Sequence, residues 1–205
     1  MRWFRRRQPE PPSAMDQAEP EPEVHPSPGL ETLLDELPTR DRLRIVDLGP
    51  ALGDNLDFFS SRFSCRVQVA DLYRSVQAEE RHLSKERIAD LLPLPDPPDL
   101  ILAWDLPSYL PREALKALLA HLSAGSAAGT RLFTMVASHS QMPNEPTTFV
   151  LREPAALEYR LRSRARRPAP RLPPAELAAL APRFKVDRSF LLRHGYQEYV
   201  MIRQE

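Results

Sequence analysis

The sequence predicts an α/β fold: a doubly wound, mainly parallel sheet of the seven-stranded type, with helices on both faces and an antiparallel hairpin at its C-terminal end. Three observations carry that expectation. Short apolar runs alternate with helical patterns across residues 43–137; the first run leads into the glycine-bearing stretch VDLGPALGDNLDFF; and two strand-like runs, 184–192 and 196–202, flank Arg193-His194-Gly195.

Leu30, Leu33, Leu34 and Leu37 fall on one helical face, and Pro38 ends that run. Residues 43–48 read as a buried strand, 54–63 as a helix with Leu56, Phe59 and Phe63 on one face, and 66–70 as a second strand. Strand, helix and strand at this spacing form a parallel crossover. Residues 75–83 read as a polar helix. LILAW at 100–104 is a third strand, 112–123 a helix carrying Leu115, Leu118, Leu119 and Leu122, and 130–137 a further strand. Residues 138–173 mix Pro, Arg and short apolar runs without a period, the pattern of a long loop or lid. A helix follows at 174–181, proline being tolerated in its first turn, and then the terminal hairpin, with glycine supplying positive φ.

A length of 205 residues suits one domain, expected to run from 30 to 205 behind a disordered tail, 1–29, rich in Pro, Glu, Gln and Ser. With 28 basic and 28 acidic residues, no global field favours nucleic acid, an acidic ligand or an anionic membrane. Cys65 is the single cysteine and the five histidines are scattered, so neither a disulfide nor a metal site is expected. A reducing, cytoplasmic setting is expected. No window holds eighteen uninterrupted apolar residues, and the basic N-terminus lacks the apolar core of a secretion signal.

In an open parallel sheet, ligands sit beyond the carboxyl ends of the strands where strand order reverses. Gly49 and Gly53 would let a ligand approach the backbone there, and the helix starting near Asp54 would aim free N–H groups at it. On the neighbouring strand the stretch Val67-Gln68-Val69-Ala70-Asp71 ends in a carboxylate, which accepts two hydrogen bonds from ribose hydroxyls well. Asp90 precedes the stretch LLPLPDPPDLILAW.

Together these residues resemble the class I S-adenosylmethionine-dependent methyltransferases, whose first strand and loop run acid-x-Gly-x-Gly-x-Gly and whose second strand ends in an acid. Asp47, Gly49 and Gly53 match the first motif, with Ala51 in place of the middle glycine; Asp71, followed by Leu72, matches the ribose acid; Asp90 matches the acid near the adenine. The resemblance spans about residues 40–137, and the terminal hairpin by topology. It implies S-adenosylmethionine as cofactor, bound by Asp47, Gly49, Ala51, Gly53, Asp71, Leu72 and Asp90, and methyl transfer to an unidentified acceptor. Pro50 and Ala51 make the loop stiffer than the family pattern. A dinucleotide is disfavoured, because the glycine spacing differs and Asp54 and Asp57 would repel a pyrophosphate.

An acceptor would lie above the ends of the third and fourth strands, where Asp105 and His139 are the acid/base candidates. The stronger reading makes Asp105 a turn cap and His139 a solvated loop residue. The basic run from Arg160 to Arg167 would suit nucleic-acid phosphates, but the alternation of Tyr159, Leu161 and Ser163 favours an exposed edge strand protected by charge. The alternative to an enzyme is a catalytically silent domain of the same fold, acting as a binding or regulatory module through residues 138–173.

Overall fold

The computed structural model describes residues 19–38, 41–77 and 84–205. A six-stranded sheet forms its centre, built from β2 (Leu43–Asp47), β3 (Cys65–Val69), β4 (Leu100–Trp104), β5 (Arg131–Ala137), β10 (Phe184–Leu191) and β11 (Tyr196–Arg203) in the order β10-β11-β5-β4-β2-β3. β3, β2, β4 and β5 are mutually parallel, while β11 runs antiparallel to both β5 and β10. LILAW is buried at all five positions, as a strand covered on both sides requires.

The crossover from β2 to β3 runs through α2 (Gly53–Arg62), and that from β4 to β5 through α5 (Arg112–Ala124). They depart from the β2/β4 pair in opposite directions, so right-handed connections put α2 and α5 on opposite faces. The topological switch point therefore lies between the carboxyl ends of β2 and β4. α5 buries Leu115, Leu118, Leu119 and Leu122, the expected face. α2 differs from expectation: Asn55, Phe58 and Phe59 are buried, whereas Leu56 is 38% exposed.

Among the described residues the sheet has six strands where seven were expected. Between β3 and β4 stand α3 (Leu72–Gln77) and α4 (Lys85–Leu91), and β3 is the edge of the sheet. The α4 sequence Lys85-Glu86-Arg87-Ile88-Ala89-Asp90-Leu91 carries helix formers and one buried apolar residue, Ile88, and not the alternation of a half-buried strand. Part of the polar helix expected at 75–83 lies outside the described residues.

Two expectations from composition are corrected. Residues 23–29, assigned to a disordered tail, form β1 (Glu23–Pro26) and the start of α1 (Pro28–Asp35); residues 1–18 lie outside the described part. A buried carboxylate, Glu198 on β11, holds this junction by accepting from the Ser27 hydroxyl at 2.6 Å and the Gly29 N–H at 2.7 Å. Ser27 in turn caps α1 through the Leu30 N–H. Leu30 and Leu33 then enter the core.

The second correction concerns residues 138–173, which contain β6 (Gln141–Pro143), β7 (Thr148–Arg152), β8 (Ala156–Arg160) and β9 (Arg166–Pro168). β7 and β8 form a hairpin that β1 completes into a three-stranded antiparallel sheet ordered β1-β8-β7, and β6 pairs with β9. The expected edge strand around Tyr159 is thus the middle strand. No alternation is visible because Phe149, Val150 and Leu151 are buried in a row, as are Leu157, Glu158 and Tyr159. α6 (Pro174–Leu180) then leads into β10. Gly195 closes the β10–β11 turn with φ +97°, a value strained for any side-chain-bearing residue.

Candidate functional site

The switch point brings together the loop after β2, the end of β4 and the first turn of α2. Asp47 ends β2 buried, and its Oδ1 accepts from the Gly49 N–H at 2.8 Å and from the Trp104 indole N–H at 2.6 Å. Burial pushes its pKa up to about 6, against the lowering effect of the hydrogen bonds from Trp104 and Gly49. Trp104, the last residue of β4, has φ +48°, in the left-handed region that costs a side-chain-bearing residue about 1–2 kcal/mol. The register with β5 shifts at this position, and Thr134 donates to the Trp104 carbonyl at 2.8 Å. This conformation lays the indole over the glycine loop: a Cβ on Gly49 would stand 2.8 Å from Trp104 Nε1.

The lid sheet completes the filling. Phe149 of β7 stacks on Trp104 with centroids 5.6 Å apart and planes at 14°. Asn55, in the first turn of α2, donates to the Phe149 carbonyl at 3.1 Å and accepts from the Leu151 N–H at 2.8 Å, pairing with the free edge of β7 as a neighbouring strand would. Asp54 pairs with Arg152 at 3.1 Å and Arg160 at 3.5 Å, and Glu158 with the same two arginines. Asp105 follows Trp104 at the end of β4. This residue is fully buried, accepts from the Tyr73 hydroxyl at 2.5 Å, the Thr147 N–H at 3.2 Å and the Tyr196 hydroxyl at 3.3 Å, and has its pKa pushed up to about 6 by burial.

The residues expected to hold a cofactor therefore divide. Asp47 and Gly49 lie at the switch point beneath Trp104. Asp71 follows β3 on the adjacent loop, half-buried, with φ +29° and an ion pair to Arg74 at 3.1 Å; Leu72 beside it is buried and donates its N–H to the Leu48 carbonyl. Asp71 faces a crevice of about 60 Å³ shared by Pro50, Tyr73, Arg74, Pro146, Thr148 and Arg162. Ala51 and Gly53 are exposed on the outer side of the loop, and Asp90 is exposed on α4, lining no part of this crevice. Of the acid/base candidates, Asp105 is a buried clamp on the lid with no surface for an acceptor, which corrects that expectation.

His139 is elsewhere. It lines a cavity of about 170 Å³ on the far side of the lid, with His25, Tyr159, His194 and Tyr196. His25 and His194 stack at 4.1 Å, and His194 shares a 2.8 Å hydrogen bond with the Tyr159 hydroxyl. Burial, with His25 alongside, pushes the His194 pKa down to about 4. Among the described residues, no group of three or more His, Cys, Asp or Glu could hold a metal ion. No helix of the described residues is long and apolar enough to cross a membrane. The arginine run is partly consumed internally: Arg160 pairs with Glu158 and Asp54, and Arg167 lies over the Tyr109 ring and donates to the Ser108 carbonyl.

The aromatic plug was missed in the sequence. Its one local signal was Trp104 itself, a bulky residue at the strand end next to the glycine loop; Asn55 carried none, because its partners Phe149 and Leu151 are 94 and 96 residues away.

No family model matches the chain, and no curated protein matches it in sequence. Solved structures match in fold. An S-adenosylmethionine-dependent methyltransferase from Clostridium acetobutylicum is similar at a TM-score of 0.52 and 10% identity, over 85% of this chain and 89% of that one. The PH0226 protein of Pyrococcus horikoshii is similar at a TM-score of 0.50 and 13% identity, over 86% and 89%. A Burkholderia thailandensis 1,6-didemethyltoxoflavin-N1-methyltransferase, solved with S-adenosylhomocysteine bound, aligns at a TM-score of 0.49 and 18% identity, over 86% and 75%. The chain has the fold of the S-adenosylmethionine-dependent methyltransferases. The seat that the motif defines does not fit a nucleoside-sized ligand in this arrangement: the space over Gly49 is taken by Trp104, on which Phe149 stacks, and the remaining crevice is several-fold smaller than ordinary ligand pockets of about 300–1,000 Å³.

Proposed function

We propose that this chain is a methyltransferase-fold domain that is catalytically silent in its closed form and acts as a binding module. The observation that carries this reading is the indole of Trp104 on Asp47, stacked on Phe149, in the place where a ligand would meet Gly49. Magnitudes support it. Lifting the hairpin would expose Phe149, Val150, Leu151, Leu157 and Tyr159, each worth about 1.5–3 kcal/mol of burial, so on the order of 10 kcal/mol in all. At millimolar concentration a ligand with micromolar intrinsic affinity returns only about 4 kcal/mol.

One observation favours a second reading, a methyltransferase that turns over an unidentified acceptor once the lid is displaced. Asp47, Gly49 and Asp71 are all retained at the carboxyl ends of neighbouring parallel strands, and Asp71 faces the remaining crevice. Calorimetry with S-adenosylhomocysteine on the full chain separates the two. The silent reading expects no saturable heat at millimolar ligand; binding that is lost in Asp71→Ala would replace it with the enzyme reading. In that case S-adenosylmethionine would be the methyl donor, with Asp71 holding its ribose.

A further inference from the structure

We propose that the β7–β8 hairpin is an intramolecular occupant of the donor seat, held there by Trp104 and Asn55, and that the seat beneath it is intact, so that removing the plug side chains exposes a site for an S-adenosyl ligand. The inference rests on the silent-domain reading and adds that the silence has a removable cause.

Gly49 is the first support. Its φ lies outside the left-handed region, so glycine is needed there for space, and the indole uses that space: any Cβ would meet Nε1 at 2.8 Å and Cδ1 at 2.9 Å. Trp104 is the second. A tryptophan held at φ +48° persists only where its surroundings over-determine it, and here the Asp47 hydrogen bond and the Phe149 stack do so. Asn55 is the third. Its buried amide satisfies both the carbonyl of Phe149 and the N–H of Leu151, so the edge of β7 is matched to the first turn of α2. Finally, the crevice beside Asp71 is bounded by Thr148 and Pro146 of the same segment, next to Phe149. Pro50 and Thr148, which line that crevice, are the chain neighbours of Gly49 and Phe149, so removing the Phe149 and Trp104 rings would open space beside it.

The test uses the full chain with S-adenosylhomocysteine as probe. Trp104→Gly is the variant of choice, because glycine tolerates the positive φ, and it is combined with Phe149→Ala. Since plugging lowers the competent fraction, the folded double variant should bind at least roughly tenfold more tightly than the wild type, and Asp71→Ala in that background should abolish the gain. A double variant that melts cooperatively yet binds no better than the wild type overturns the inference and leaves the silent reading standing. Tight binding by the wild type, with no change in Trp104 emission in a Trp3→Phe background, would instead remove the silent reading. Hydrogen exchange on the wild type tests the plug without any core variant: the Leu151 amide should be strongly protected, and exchange at the rate of an exposed loop would show that the hairpin does not occupy the seat.

Discussion

Two concave regions of this protein, the glycine-loop seat at the switch point and the imidazole-lined cavity on the far side of the β7–β8 hairpin, are bordered by the same segment with opposite results. The seat carries the motif residues Asp47, Gly49 and Asp71, yet the indole of Trp104 fills it and Phe149 of β7 stacks on that indole. The cavity matches no motif in the sequence, yet it is open, at about 170 Å³ against about 60 Å³ for what is left beside Asp71. Backbone motifs mark where a ligand could be held, whereas the side chains of distant elements decide whether room for it exists. An aromatic path from Trp104 through Phe149 and Tyr159 to His194 joins the two regions, with centroid separations of 5.6, 4.9 and 5.0 Å.

If the seat is core and the cavity is surface, the two sides should respond to truncation very differently. Trp104→Ala should cost about 3–5 kcal/mol in chemical denaturation, the range for emptying a buried aromatic site. His139→Ala, on the exposed cavity rim, should stay within about 0.5 kcal/mol, and a comparable loss there would erase the distinction. Next in size is Asn55→Ala, which strands a carbonyl and an N–H of β7 and should cost about 1–3 kcal/mol, with exchange accelerated at Leu151 more than in the central sheet. Gly49→Ala should cost a similar amount by pressing a methyl group on the indole, and its Trp104 emission should shift. The smallest effect belongs to Ala51→Gly. The residue is exposed, so restoring the family's glycine should change stability by no more than about 0.5 kcal/mol and should not by itself create affinity for S-adenosylhomocysteine.

Acidity should divide the regions by sign. Asp105 rises from 3.8 to about 6 on folding, so the native state binds the extra proton in that window; its contribution is fully present below pH 4 and is lost as pH rises through 6. His194 falls from 6.5 to about 4; its contribution is present above pH 6.5 and is lost as pH falls toward 4. Urea midpoints between pH 4 and 6.5 should therefore change slope in opposite directions in Asp105→Asn and His194→Gln. Equal slopes in the two variants would show that these groups do not titrate as their surroundings imply.

Much of the fold was legible locally. Period and turn chemistry located β2, β4, β5, α5 and α6 within a residue or so, because each buries a regular face against its nearest neighbours. The lid was not legible. Its strands are five residues long and buried on both faces, so no alternation marks them, and β1 owes its order to Glu198, 171 positions from Ser27. The site was half legible: the acids and glycines stand at the strand ends where the motif implies, but Asp105 proved to be a clamp, Asp90 lies on an exposed helix, and Asn55 reads as an ordinary helix residue until β7 is seen on it.

The amino-acid order alone determined the parallel core, its switch point and the acids placed there, since strand propensity, glycine placement and right-handed crossovers act over short stretches of chain. Only the tertiary structure decided that the seat is occupied. That outcome depends on where the indole of Trp104 points and on which segment returns to cover Asp47, and both follow from contacts among residues 47, 55, 104 and 149, which no local pattern connects.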